Sequence, residues 1–460
     1  MQILAITAGA GAMYCGSCLR DNALAAELLA RGHDVVLLPV YTPTRTDEPN
    51  VSRQEVLLGG ISVYLEEKIP LFRYTPKLLD RLWDAPRVIR AVTRRAVSTD
   101  PATLGEMTVS MLRGEHGPHR KEIVKLLDWL RDQPAPDLTT LPNSLLIALA
   151  EPIARATRRP VGVTLQGEDL FLDGLREPYR AQALDLIRRQ VDFVHAFFAV
   201  SERYAPRMSA RLAIPPEKMH VIPLGINADD FQRGPQAASR PGVERRVERS
   251  SARREDVVRI GFLARIAPEK GLHVLCEAYQ RLRARSDGLP AMRLEAAGYL
   301  APEQRGYLAD IERRMREAGL STEFRYVGEL DRPGKVEFLR DLDVFSMPAT
   351  YDEPKALSVL EAMASGVPVV LPRRGALPEI IEKTDGGLLV DPDDVDALAE
   401  GLHAVLADPA LAERLGTAGY AGVREHYTTS RMADRALEAY GAVIARDESK
   451  SPIPRGRAAR

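Results

Sequence analysis

The pattern that most limits how this chain folds is an alternation of short β-branched runs with longer amphipathic stretches, and it occurs twice. In the first half the runs predict strands at Gln2–Ala8, Asp34–Tyr41, Ile61–Glu67, Pro160–Gln166, Phe197–Ser201 and Val221–Leu224. Helical periodicity lies between several of them, at Leu19–Ala30, closed by Gly32, and at Tyr179–Phe193. After residue 256 the series restarts, with strands at Arg259–Ala264, Arg293–Gly298, Phe324–Leu330, Val344–Pro348, Val367–Leu371 and Gly387–Val390. Helices intervene at Gly271–Arg285, Glu303–Ala318 and Ser358–Ala364. Strands joined by helices pair in parallel, and a parallel sheet is covered on both faces. The expected fold class is therefore α/β: two doubly wound, Rossmann-like domains facing across a cleft.

Breaks in the pattern suggest the boundaries. Gln232–Glu255 is rich in Arg, Pro, Gly, Ser and Ala and has no apolar period, which marks an exposed linker. The expected organisation is a first domain over 1–231, a linker over 232–257, a second domain over 258–429, a last helix over 430–448 and a disordered tail over 449–460. The first domain carries a mainly helical insertion at about 71–132. Within it Lys121–Arg131 places Ile123, Leu126, Leu127 and Leu130 on one side. Shaping an acceptor site, dimerisation and rest on a membrane surface all stay open as its role.

Composition narrows the function classes. The chain has 460 residues, with 63 Lys and Arg against 64 Asp and Glu and a formal net charge of -1. Such a balance gives no global pull toward nucleic acid or an anionic membrane. No apolar run approaches the roughly 18 residues of a membrane helix. The opening Met1-Gln2-Ile3-Leu4 reads as a first strand rather than a leader. Three cysteines in a chain this long are no disulfide framework, so a reducing cytoplasm is the expected compartment.

Ligands of open parallel sheets bind beyond the carboxyl ends of the strands. The first strand runs into Ala8-Gly9-Ala10-Gly11-Ala12-Met13-Tyr14-Cys15-Gly16-Ser17-Cys18, a glycine-rich loop before a helix whose N-terminus suits an anion. A tight strand-helix turn explains the glycines equally well. Cys15 and Cys18 have the spacing of a thiol redox pair. No thioredoxin-sized unit surrounds them, and two thiols alone make a poor zinc site.

In Gly261–Gly271 a strand ends in a loop bearing Arg265 and Lys270, two cations suited to a diphosphate, with solvated surface cations as the plainer alternative. The richest stretch is Pro348–Val370. Glu353 lies in its loop, a helix starts near Ala356 and stops at Gly366, and Glu361 follows about two turns on. Amides near Ala356, Leu357 and Ser358 are expected to point into the cleft. Two carboxylates would then stand beside a helix terminus suited to phosphate. Asp391-Pro392-Asp393-Asp394 is acidic but follows a strand near a turn, and no metal site is expected there.

At this point a family resemblance is visible. Glu353 to Glu361 resembles the E-x7-E signature of the retaining family-4 glycosyltransferases, which have the two-domain GT-B fold. Leu360–Val370, Gly375–Ile381, the strand-Arg-x4-Lys-Gly loop of Gly261–Gly271, Arg31–Val35 and Val221–Asn227 are similar to other family segments. Similarity to glycogen and starch synthases is weaker. The resemblance implies that Arg265 and Lys270 bind the donor diphosphate and that Glu353 holds hydroxyls of the transferred sugar. The amides of Lys355, Ala356, Leu357 and Ser358 would assist. Glu361 would hold the ribose hydroxyls, Val327–Leu330 would border the base, and Gly16 would approach the phosphates or the acceptor. The last helix, Ser430–Ala445, would brace the first domain.

Three departures stand out. Gln166, in Gln166-Gly167-Glu168-Asp169, occupies the place of a His that lies near the donor sugar in the family; Gln donates and accepts but carries no charge. Leu224-Gly225-Ile226-Asn227 replaces Asn-Gly-Val/Ile-Asp. Pro354-Lys355-Ala356 replaces Gly-Phe-Gly, which brings the Lys355 cation beside the donor or into solvent. The function implied is transfer of a hexose, with retention, from a UDP-, GDP- or ADP-sugar to a hydroxyl on a glycan, a lipid-linked or a small-molecule acceptor. No metal and no cofactor are expected, the nucleotide-sugar being a substrate. No nucleic-acid partner is expected, and a peripheral membrane contact stays open. A nucleotide-sugar epimerase and a non-catalytic sugar-nucleotide-binding protein are the alternatives.

Overall fold

The structure, a computed structural model, describes residues 1–9, 13–56, 101–231, 257–285 and 289–450. The expected strand Ile61–Glu67, the first part of the insertion, the linker Gln232–Glu255 and the tail beyond residue 450 lie outside the described residues. The chain divides into two units, one of Met1–Pro223 with the chain from Met432 onward, the other of Leu224–Arg431.

The first unit holds six parallel strands: β1 (Gln2–Thr7), β2 (Asp34–Pro39), β3 (Leu138–Leu141), β4 (Val161–Leu165), β5 (Ala196–Ala199) and β6 (Met219–Val221). Their order is β2-β1-β3-β4-β5-β6. The chain thus reverses its winding between β1 and β3, where Ile3 pairs with Leu138. Such a switch point is where open α/β sheets bind ligands. β4 and β5 are buried along their whole length, which is why they read as continuous apolar runs. β3 was not expected. At four residues with two threonines it lacks an apolar signature, yet all four are buried at the centre of the sheet.

Helix Gly16–Ala30 follows β1 and buries Leu24, Ala25 and Leu28 against the sheet. Gly16 is therefore the first residue of a helix, where the sequence placed it in a loop. The described part of the insertion contains helices Pro101–Leu112 and Arg120–Arg131, and the second buries Ile123, Leu126, Leu127 and Leu130 as its period predicts. The last helix, Thr429–Lys450, sends Met432, Ala433, Ala436, Tyr440 and Val443 into the first unit's core. The Tyr440 ring meets Phe198 of β5 edge-on, with centroids 5.1 Å apart.

The second unit repeats the plan with β7 (Val258–Leu263), β8 (Met292–Ala297), β9 (Phe324–Gly328), β10 (Val344–Phe345), β11 (Val369–Pro372) and β12 (Gly387–Val390), in the order β12-β11-β10-β7-β8-β9. The switch point here lies between β7 and β10, where Ile260 pairs with Val344. β10 is two residues long, shorter than the expected Val344–Pro348, because the chain leaves the sheet early to form the loop that carries Glu353. β9 likewise ends at Gly328, so Leu330 lies in the turn before helix Arg332–Arg340. Among the described residues no helix is long and apolar enough to cross a membrane.

Tyr440 tests how much the last helix contributes to the first unit. Tyr440→Ala removes a large side chain from a close-packed core, and such truncations cost about 3–5 kcal/mol. Urea unfolding followed by far-UV circular dichroism should show that loss, and a change under about 1 kcal/mol would place the helix outside the core.

Candidate active site

The loops after β7 and β10 meet at the second unit's switch point. After β7 the chain passes Arg265 and a short turn, Pro268–Lys270, before helix Leu272–Ala284. Gly271 joins them at φ +80, and a Cβ there would stand 1.8 Å from the Pro348 carbonyl oxygen. Only a glycine permits both that angle and that approach. The Thr350 amide donates to the Glu269 carbonyl at 2.9 Å, so the two loops are joined through their backbones. Arg265 lies on the first loop and donates to Glu269 Oε1 at 2.5 Å.

Lys270 and Glu353 are ion-paired between the loops. The Lys270 ammonium also donates to the Tyr351 hydroxyl at 2.7 Å, and that hydroxyl donates to Glu353 Oε2 at 2.5 Å. Glu353 Oε1 accepts from the amides of Lys355 at 3.1 Å and Ala356 at 3.4 Å. Glu353 is 2% exposed. Burial alone would raise its pKa, but the Lys270 charge and hydrogen bond, then the Tyr351 hydroxyl and the Lys355 charge, outweigh that and hold it at about 2. Burial and the neighbouring Glu353 push the Tyr351 hydroxyl well above the usual tyrosine range.

This corrects one expectation. The amides of Lys355 and Ala356 do not stand open, because the Glu353 carboxylate accepts from both. The carboxylate thereby acts at the start of helix Leu357–Ala364, whose preceding residue, Ala356, is left-handed at φ 61. The helix buries Glu361 in its second turn. Leu357 and Ser358 form its first turn and are half-buried, with the Ser358 hydroxyl 3.9 Å from Met347 sulfur.

Tyr351, Glu269, Lys335 and Gly375 belong to this site but were not singled out in the sequence. Tyr351 stands two residues before Glu353 on the same loop, a spacing that in extended chain puts two side chains on one side. Lys335 donates to Glu361 Oε1 at 2.5 Å from a helix 26 positions earlier, a distance no local pattern bridges. Gly375 has φ +59, and a Cβ there would stand 2.5 Å from the Glu353 backbone nitrogen and oxygen. Ala376 donates to the Glu353 carbonyl at 2.8 Å, so this second turn backs the loop.

The other residues expected at a site, Gly16 and Gln166, belong to the first unit. Gln166 is 3% exposed at the end of β4; its amide nitrogen donates to the Pro142 carbonyl at 2.8 Å, and its Oε1 is buried without a partner. Glu168 accepts from the Ser144 and Gln166 amides at 3.0 and 2.8 Å, and burial raises its pKa against those bonds. Cys15 and Cys18 are unbridged. A hydrogen bond with Cys15, then burial, push the Cys18 thiol well up, opposite to the shift an attacking thiolate needs. Among the described residues no three His, Cys, Asp or Glu side chains are grouped to hold a metal. Asp393 pairs with Arg374, and Asp394 accepts from the Ala397 amide to cap a helix.

Two Rossmann-like units, each a parallel six-stranded sheet, with a cation and carboxylate joined at a switch point, define a protein of the GT-B fold. Comparison with known proteins agrees. Residues 106–230 match the model described as Glycosyltransferase Family 4, and residues 243–422 the model described as Glycosyl transferases group 1. Over these residues the chain is similar to the family-4 glycosyltransferases. It is 34% identical over 210 residues to a D-inositol 3-phosphate glycosyltransferase of Kribbella flavida, over 44% of this chain and 46% of the relative. It is 33% identical to a phosphatidyl-myo-inositol mannosyltransferase of Mycobacterium tuberculosis, over 48% of this chain and 53% of the relative. The chain thus spans about half the length of the curated relatives it matches. Among solved structures, sucrose-phosphate synthase from Thermosynechococcus elongatus superposes with a TM-score of 0.68 at 19% identity, over 97% of this chain and all of that one. Anabaena HepE, solved with UDP, has a TM-score of 0.63 at 17% identity, over 96% of this chain and all of that one.

The depressed pKa of Glu353 has a signed consequence. A carboxyl lowered on folding stabilises the fold above its ordinary value of 4.5, and that contribution is lost as the pH falls toward about 2. Glu353→Gln should therefore melt well below the wild type at pH 7, with the gap narrowing between pH 4.5 and 3. Calorimetric melting temperatures across that range check this, and a constant gap would show that Lys270 does not hold the carboxylate.

Proposed function

We propose that this chain is a retaining, metal-independent hexosyltransferase that takes its sugar from a nucleotide diphosphate donor. The observation that carries the reading is the convergence of Lys270 and Glu353, with Arg265 on the same loop, at the β7/β10 switch point and the start of helix Leu357–Ala364. In this reading Arg265 and Lys270 receive the diphosphate and offset the charge that grows on it as the sugar departs. Their present partners, Glu269 and Glu353, hold them in place and yield to the more highly charged ligand.

Glu353, freed from Lys270 in part, accepts from hydroxyls of the transferred sugar, and Lys355 and the first turn of the helix assist. Glu361 accepts from ribose hydroxyls, and Leu330 borders the base. The acceptor oxygen attacks on the face the diphosphate leaves. The bond from that oxygen to the anomeric carbon forms, the bond from the anomeric carbon to the phosphate oxygen breaks, and the acceptor proton passes to the leaving phosphate. No protein nucleophile is used. Gly16 and the buried Gln166 of the first unit are assigned to the acceptor and donor-sugar side.

Two of the relatives are an inositol-phosphate and a phosphatidyl-inositol glycosyltransferase by name, which makes phosphorylated polyols the first acceptors to try. One structural neighbour, HepE, was solved with UDP, which makes uracil one of three bases to screen.

The screen is a set of melting curves with UDP-, GDP- and ADP-sugars in excess chelator, since a ligand that binds only the folded chain raises its melting temperature. One nucleotide class should stabilise the chain, and turnover with it should survive the chelator. Loss of turnover restored by magnesium or manganese would overturn the metal-free mechanism. Lys270→Ala and Glu353→Ala should each lower turnover roughly 10²–10³-fold, the range seen when one transition-state contact is removed. Near-normal turnover in both would remove the site assignment, and a labelled donor returned as its epimer would replace transfer with epimerisation.

A further inference from the structure

We infer that Lys335 is a positioning residue for the donor's ribose: it engages one oxygen of Glu361 and leaves the other open to a sugar hydroxyl. What Glu361 meets is taken from the nucleotide-sugar reading above; the role of Lys335 is new.

Lys335 lies in helix Arg332–Arg340 and is 7% exposed, and Glu361 is 6% exposed. Their contact, Nζ to Oε1 at 2.5 Å, joins two helices 26 positions apart. A buried carboxylate left without its cation is strongly unfavourable, so this contact decides where the Glu361 side chain points. Among the described residues nothing donates to Glu361 Oε2, and that atom is not one of those sealed from solvent without a partner. One end of the carboxylate is therefore tied and the other remains available.

Lys335 is itself placed from below. The Phe231 ring, fully buried, has the Lys335 ammonium 6.0 Å and the Arg332 guanidinium 4.7 Å from its centroid. Arg332 in turn donates to Asp230 Oδ2 at 3.0 Å and to the Asn227 carbonyl at 2.8 Å. A ring clamped by one cation limits where the second can go. The same helix is capped by Asp331, directly after Leu330, the residue assigned to the base. Base contact and ribose contact are thus set by one short element, from the turn that precedes it and from its first turn.

A ribose presents two neighbouring hydroxyls, and a fixed carboxylate accepts from them with no rotamer to search. A site built to bond a hydroxyl rejects the analogue that lacks it, because its own polar group is left unpaired. Lys335 should therefore set the preference for ribonucleotide over deoxynucleotide, beyond any effect on stability.

The test titrates UDP, GDP and ADP calorimetrically, then the 2′-deoxy and 3′-deoxy forms of the tightest binder. The proteins are the wild type, Lys335→Met, Lys335→Arg, Glu361→Gln and the double variant Lys335→Met/Glu361→Gln. The wild type should prefer the ribo form over at least one deoxy form roughly ten- to hundred-fold, the worth of a hydrogen bond to a charged group. Lys335→Met and Glu361→Gln should each lose most of that ratio, Lys335→Arg should restore much of it, and the double variant should be no worse than Glu361→Gln.

A wild-type ratio in Lys335→Met, lost in Glu361→Gln, overturns the inference and leaves the donor reading standing. A ratio unchanged in Glu361→Gln overturns the ribose assignment and the inference together. Binding of none of the three nucleotides overturns both the inference and the proposed function. Should the Met variant fail to fold, Phe231→Leu replaces it: it keeps the ion pair, loosens the ring, and should lower the ratio severalfold, and an unchanged ratio overturns the inference.

Discussion

The second unit's site depends on one interaction, the contact of the Lys270 ammonium with the Glu353 carboxylate. Both side chains sit on loops that leave adjacent parallel strands at the point where the sheet reverses its winding. Glu353 is almost sealed from water, so its charge must be compensated inside the protein. It has an ammonium, a phenol and two backbone amides to do so.

The backbone is shaped around that contact. Gly271 brings the first loop against the Pro348 carbonyl, and Gly375 brings a third turn against the backbone of Glu353. Ala356 accepts a left-handed conformation to turn the chain into the helix that carries Glu361. A non-glycine residue in that region costs of order 1 kcal/mol or more and persists where surrounding contacts over-determine it. Here the Glu353 carboxylate, the buried Val359 and Leu360 and the short β10 all act on the same few residues.

Much of this was legible in the sequence, and the exceptions have physical causes. Continuous apolar runs such as Val161–Leu165 and Val369–Pro372 announce strands buried on both faces, and they fall close to where the pattern puts them. Leu138–Leu141 is as buried as either, but Thr139 and Thr140 hide it. Lys270 and Glu353 could be placed together because each follows a strand and the family resemblance assigns both to one donor. The state of Glu353 could not, since burial opposes its charge and the Lys270 ammonium, then the Tyr351 hydroxyl, sustains it through contacts no local pattern shows. Lys335 was out of reach for a simpler reason: nothing local ties a lysine on one helix to a glutamate on another.

The central claim is that Lys270 and its loop form the seat of a diphosphate. Calorimetric titration of a nucleoside diphosphate and the matching monophosphate into the wild type and Lys270→Met tests it without catalysis, acceptor or sugar. The account predicts that the wild type binds the diphosphate markedly more tightly and that the variant binds the two about equally. A diphosphate preference that survives intact in Lys270→Met would contradict it.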